Sequence, residues 1–278
     1  MHEGSRMTRT RCNADATCAV VSGLLSLAWS LPAVAEEEDL QTKLANPVAD
    51  LISVPFQFTT TPKSGPLEKP QHTLNIQPVY PTTLGDIRLI HRVILPVLSN
   101  PAVVPGQDRE NGIGDIVYEA FFSPAAASKT IWAVGPIVQL RTATDPRLGS
   151  GKWAAGPAAL ALVQPSPWSV GALVTQLWSF AGDENRASVN QTQIQPLLSY
   201  KLGPEHSIAY TGTITANWNE DRSSQRWTVP LGITYSMLTK PAGFVPVNYI
   251  FGGGYNVIRP DNTGGWFLRF QINFVLAK

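Results

Sequence analysis

Cysteine is confined to positions 12 and 18, and the rest of the 278-residue chain has none. Beyond that point the chain can form neither a disulfide nor a thiolate metal site. Charge is scarce as well: Asp, Glu, Lys and Arg make up 15% of residues, against about 25% in an average soluble protein. Long apolar runs are also missing. Past residue 35 no segment approaches the roughly 20 consecutive apolar residues of a spanning helix. Three basic and two acidic residues fall in the first 35 positions, which leaves the remaining acidic and basic residues in balance. A balanced chain lacks the basic footprint of a nucleic-acid partner. No His/Asp/Glu group has metal-ligand spacing and no cofactor motif is complete, so neither a metal nor a cofactor is expected.

What is present begins with an export signal. Arg6, Arg9 and Arg11 precede an apolar run from Ala16 to Leu31, and "LPAVAE" places Ala33 and Ala35 at the small-residue positions of a cleavage site. Residues 1–35 are therefore expected to be a signal peptide cut near Ala35, with Met1 or Met7 as the start. An exported chain that is poor in charge and lacks spanning helices points to a transmembrane β-barrel.

Alternation supports this. In "WFLRFQINFVL", Trp266, Leu268, Phe270, Ile272, Phe274 and Leu276 fall on one face, and Arg269, Gln271 and Asn273 on the other. The same pattern runs through "RWTVPLGITYSM", "HSIAYTGTITANW" and "NQTQIQPLLSY"; the second of these puts Tyr210 on the apolar face and Thr211 and Thr213 on the polar one. Weaker segments at 51–58, 72–80, 87–97, 113–122, 130–141, 152–163, 168–180 and 245–257 bring the count to twelve, an even number as a bacterial barrel requires. The expected fold is an all-β, antiparallel up-and-down barrel over 51–278. It is preceded at 36–50 by a short helix or tether that could plug the mouth. A soluble lipocalin-like or sandwich protein is the structural alternative. The connections argue against it: 59–71, 99–112, 142–151, 181–189, 219–225 and 258–264 are long and polar, whereas those between them are on the whole shorter, the asymmetry of outer loops and periplasmic turns.

Tryptophans fall at strand ends, with Trp153, Trp178, Trp218, Trp227 and Trp266 beside outer loops and Trp132 and Trp168 at the periplasmic side. They are expected to form two interfacial girdles. Seven prolines, at 55, 78, 136, 157, 196, 230 and 246, lie within proposed strands, where each removes a ladder donor. Bulges could accommodate some of them, but nothing in the pattern explains so many.

"DPRLGSGKW" resembles a phosphate loop only superficially, since Pro146 takes the first glycine position and Trp153 the hydroxyl position. It is expected to be an outer loop, with Lys152 at the level of lipopolysaccharide phosphates. Outer-membrane acyl hydrolases that pair a His with a Ser on the same strand face need His-x-Ser. His72, His91 and His206 are followed at that position by Leu74, Val93 and Ile208, so no enzyme is expected. The lumen candidates are Asn75, Gln77, Arg92, Asp115, Glu119, Arg141, Gln193, Gln195, Thr211, Thr213 and Arg269, with the carboxylates free to pair with Arg88, Arg92, Arg141 or Arg269.

The strings "NPVADLISVPFQF", "GDIVYEAFFSP", "IWAVGPIVQLRTATDPRLGSGKWAAGP", "ALVTQLWSFAG" and "GGWFLRFQINF" resemble a bacterial outer-membrane family labelled transporter or meta-pathway phenol-degradation protein. The similarity spans essentially all of the chain after the signal peptide. It implies an outer-membrane barrel with a transport role in aromatic-compound metabolism. The chain departs from many such barrels in ending "FVLAK" and not on an aromatic residue. Expected partners are outer-membrane lipid including lipopolysaccharide, the barrel-insertion machinery and a small solute, possibilities for the last including hydrophobic and aromatic compounds. The rival readings are a closed barrel with a structural or surface role and, third, a lipid-modifying enzyme.

Overall fold

The structure is a computed structural model that describes residues 40–276 except Ala127. The expected signal peptide and its cleavage site lie outside the described residues. Fifteen strand segments form one continuous sheet, β1 (Ile52–Ser64), β2 (Lys69–Ile76), β3 (Val79–Leu84), β4 (Ile87–Asn100), β5 (Glu110–Ile113), β6 (Val117–Pro124), β7 (Thr130–Gln139), β8 (Lys152–Val163), β9 (Trp168–Gly182), β10 (Asn190–Lys201), β11 (His206–Tyr210), β12 (Ile214–Asn217), β13 (Trp227–Thr239), β14 (Val247–Ile258) and β15 (Trp266–Leu276). Three barrel strands are each split in two (β2 with β3, β5 with β6, β11 with β12), so the segments make twelve strands. All pairings are antiparallel, β15 pairs with β1, and β9 with β10, which closes the sheet on itself. Closure satisfies every strand edge, as a barrel in lipid requires. Among the described residues no helix is long and apolar enough to cross a membrane.

The first strand pair differs from expectation. β1 runs to Ser64 and β2 starts at Lys69, so most of the expected loop 59–71 is paired strand. Thr59, Thr60 and Thr61 favour the extended backbone, and Gly65 at a φ of 71° with Glu68 at 48° confines the reversal to four residues. The twelve strands otherwise lie close to their expected spans. Six connections at one end, the loop end, include 101–109, 140–151, 183–189 and 218–226, the last containing a one-turn helix, Ser223–Arg226. Those at the other end, the turn end, are shorter on the whole and include the two-residue reversal at Gly85 and Asp86.

The outer surface is the apolar face read from the alternation. Leu231, Ile233, Phe251, Leu268 and Phe270 are all exposed, which in water would be an unusually large apolar surface. Trp132 and Trp168 are exposed at the turn end, and Trp153, Trp178, Trp218 and Trp266 are exposed at the loop end. Trp227 is half-buried against Trp218, with ring centroids 5.9 Å apart. Histidines on this outer face have aromatic partners. His91 Nδ1 and Tyr118 Oη are 2.7 Å apart, as are His206 Nδ1 and Tyr235 Oη, and His72 stacks on Phe58.

Six of the seven prolines have a shared explanation. Pro55 and Pro78 lie where the pairing of β1 skips from Ser53↔Val79 to Phe56↔Ile76. Pro136 lies in the gap between Glu119↔Ile137 and Phe122↔Val134, and Pro157 in the gap between Ala155↔Trp178 and Ala158↔Thr175. Pro196 faces the break between β11 and β12, and Pro230 sits at a bulge in β13 opposite the same break. Pro246 directly precedes β14. A residue without an N–H is tolerated where the ladder on one side is already interrupted. The interruptions bend and coil the wall of a small barrel.

Candidate functional site in the lumen

The inner faces of the strands are of two kinds. On β4 and β6 to β9 they carry Ile90, Phe121, Ala133, Ile137, Ala154, Ala158, Leu160, Leu162, Leu173 and Leu177, all buried and packed as one cluster. This side of the barrel is filled with apolar side chains, which explains why those segments read weakly as alternating strands: they are apolar on both faces. On β1, β2, β10 to β13 and β15 the inner faces carry amides, hydroxyls and Arg269.

A cavity of about 300 Å³ lies between these two walls. Ile94, Val117, Ile137, Leu173 and Leu177 form its apolar side; Gln57, Asn75, Gln77, Gln193, Gln195 and Thr211 belong to its polar side. Nine of the eleven lumen candidates line it, namely Asn75, Gln77, Arg92, Glu119, Gln193, Gln195, Thr211, Thr213 and Arg269. Tyr210 lines it too, although alternation assigned that residue to the outer face. It sits at the break between β11 and β12 and donates its hydroxyl to Pro230 O at 2.5 Å, so the interruption redirects it.

Two candidates are elsewhere. Asp115 lies in the three-residue break between β5 and β6, so it does not share a continuous strand face with Glu119. Its Oδ1 accepts from Ala143 N at 3.2 Å and its Oδ2 from Ser150 N at 2.6 Å and Ser150 Oγ at 2.8 Å. It therefore fastens the loop 140–151. Arg141 is exposed on that loop. Lys152, half-buried at the start of β8, precedes the outward Trp153 and shares a side of the pleat with fully buried Ala154. The loop is further held by Arg186, which donates to Gly149 O and Ser150 O, and by Arg147, which pairs with Glu110 and Asp145.

The lumen charges are not equivalent. Arg92 Nη1 lies 3.3 Å from Glu119 Oε2, both side chains largely buried, and Arg92 Nη2 donates to Gln77 Oε1 at 2.9 Å. Arg88, towards the turn end, donates to Ala125 O. Arg269 has no carboxylate partner among the described residues. Its Nη1 donates to Thr211 Oγ1 at 2.5 Å and its Nε is buried without an acceptor. The side chain crosses two intervening strands to reach Thr211. Gly252, paired with Arg269, puts no side chain of its own in the way. The run "FGGGY", which alternation does not use, is the sequence signal for the missing side chain at Gly252.

The segment 40–51 lies at the turn end. After one helical turn at 40–44, Gln41 Nε2 donates to Glu205 O, Gln164 Nε2 to Thr42 O and Lys201 Nζ to Thr42 Oγ1, at 2.8 to 3.0 Å. Val48, 1% exposed, joins the apolar cluster of the lumen. A second cavity of about 170 Å³ lies between this segment and β1, β3 and β15. It shares Gln57, Gln77, Arg92 and Gln195 with the first, so the two are separated only by those side chains.

No family model matches the chain, and no curated protein matches its sequence. Solved structures do. An outer-membrane channel from Pseudomonas putida matches with a TM-score of 0.56 at 14% identity, over 81% of this chain and 94% of that one. Outer-membrane phospholipase A from Escherichia coli has a TM-score of 0.44 at 10% identity, over 87% and 98% of the two chains. A toluene transporter from Pseudomonas putida has 0.37 at 11%, over 84% and 91%. The first of these likenesses establishes the architecture: the chain has the fold of a twelve-stranded outer-membrane β-barrel.

Proposed function

We propose that the protein resides in the bacterial outer membrane and takes up small solutes through its lumen, with a preference for solutes that have an apolar body and a polar end. The observation that carries this reading is the two-sided cavity, in which Ile94, Val117, Ile137, Leu173 and Leu177 face amides and hydroxyls. Such a site holds an amphipathic molecule better than water or a simple ion. The apolar wall and the sequence resemblance both favour an aromatic or hydrophobic cargo. Selection acts through the width of the constriction and its hydrogen-bonding groups. The tryptophans at both barrel ends serve as interfacial girdles, set against lipopolysaccharide at the loop end.

Purified protein in planar bilayers and in solute-loaded liposomes tests this. Channels, or faster uptake of small aromatic solutes than in empty liposomes, are expected; insertion without either would refute passage. The segment 40–51 supports the rival reading of a closed barrel with a structural role, because it spans the turn end. A lipid-modifying enzyme has less support: His206 bonds Tyr235 on the outer face, whereas adjacent Ser207 bonds Ser236 on the inner face.

A further inference from the structure

We infer that Arg269 makes the lumen cavity a binding site for monoanionic aromatic solutes, with the carboxylate on the guanidinium and the ring on the opposite apolar wall. The inference rests on the proposed uptake of solutes and deepens it by naming their chemical class. Three features carry it. Arg92, Glu119 and Arg269 are the charged side chains lining the cavity, and the first two neutralise each other. Among the described residues Arg269 is left as a cation without a carboxylate partner, with Thr211 as its one hydrogen-bond acceptor. A half-buried guanidinium is costly unless an anion or several acceptors meet it, and its planar fork matches the two oxygens of a carboxylate.

The surrounding groups extend the match. Thr175 Oγ1, also lining the cavity, is buried without a hydrogen-bond partner among the described residues. The hydroxyl of Thr213 and the amides of Gln193 and Gln195 can donate to the rest of an anion. Across the cavity, Leu173, Leu177, Ile137 and Val117 offer a flat aliphatic surface on which a ring buries well.

Benzoate and benzyl alcohol, a charged and a neutral molecule of similar size, distinguish the outcomes when titrated calorimetrically into the full-length detergent-solubilised protein. Benzoate is expected to bind at least tenfold more tightly than benzyl alcohol. Arg269→Gln is expected to lose about tenfold or more of the benzoate affinity with little change for benzyl alcohol, and Arg269→Lys to keep part of the preference. Folding of each variant is checked by retention of the compact, unheated gel mobility; the comparison of the two solutes on the native chain stands even if a variant fails to fold. Equal affinity for the two, or unchanged benzoate binding by folded Arg269→Gln, would overturn the inference and leave the wider reading of solute uptake intact. Absence of binding by either solute would overturn the inference together with the solute-binding part of that reading. Binding without conductance would remove passage only and leave the anion site standing.

Discussion

At the scale of single residues, the lumen sets apart charges that a sequence leaves interchangeable. Glu119 and Arg92 form a buried pair, and Glu119→Gln leaves the guanidinium with Gln77 as its remaining side-chain partner. Removing one member of a buried pair costs about 3 kcal/mol, whereas replacing both by apolar residues of similar volume is close to neutral. Glu119→Gln is therefore expected to lower the urea midpoint of the detergent-solubilised protein clearly. The double change Arg92→Leu with Glu119→Leu should restore most of that loss, and a double variant less stable than the single one would contradict the assignment. Asp115 behaves differently because its bonds are to a loop. Asp115→Ala removes three acceptor contacts from Ala143 and Ser150, each to a charged group and each contributing about 1.5–3 kcal/mol at most. Added trypsin should then cut at Arg141 or Arg147 in intact cells faster than in the native protein, while the barrel stays folded. Equal resistance would mean that Arg186 and Arg147 hold the loop without Asp115. Alternation did reveal which side of the sheet Glu119 and Arg269 face. It could not reveal Asp115, because the break at 114–116 interrupts the two-residue period on which that reading depends, nor which of four arginines Glu119 would pair with.

At the scale of strands, hydrophobic alternation served well where one face meets lipid and the other meets polar lumen, as in β15. It served poorly for β7 to β9, whose inner faces are apolar because the lumen there is packed and not open. Prolines marked the interruptions all along, but a single sequence shows only the missing donor and not the unpaired neighbour across the gap. The pairing now gives that feature a consequence. Pro157→Ala restores an N–H where β8 makes no ladder bond to β9, so stability should change by less than about 1 kcal/mol. Ala161 lies in an unbroken register with Trp132 on one side and Ala172 on the other. Ala161→Pro should cost about 3 kcal/mol or more, or prevent refolding into the heat-modifiable form. Similar losses at the two positions would mean that the gaps do not accommodate the prolines.

At the scale of the whole molecule, the closed sheet and the segment beneath it have opposed effects on function. The barrel provides a two-sided lumen with a cavity at mid-height, whereas 40–51 lies across the turn end and inserts Val48 into the apolar cluster. Bonds to it come from Gln164 and Lys201, which donate to Thr42, and Gln41 donates to Glu205 O. Because the segment precedes β1 and pairs with no strand, it can be removed without breaking any strand pairing. A chain lacking residues 36–50 behind an intact signal peptide is expected to assemble, show the same unheated gel mobility and conduct several-fold more current per channel than the native protein. Val48→Asp should act in the same direction, since a carboxylate buried among Ile90, Phe121 and Leu162 is strongly disfavoured and would favour release of the segment. If both variants fold and conduct as the native chain does, the segment does not limit flow, and the constriction must lie at the side chains shared by the two cavities, Gln57, Gln77, Arg92 and Gln195. Current that rises when Gln77 and Gln195 are both changed to Ala, with 40–51 in place, would then locate it there.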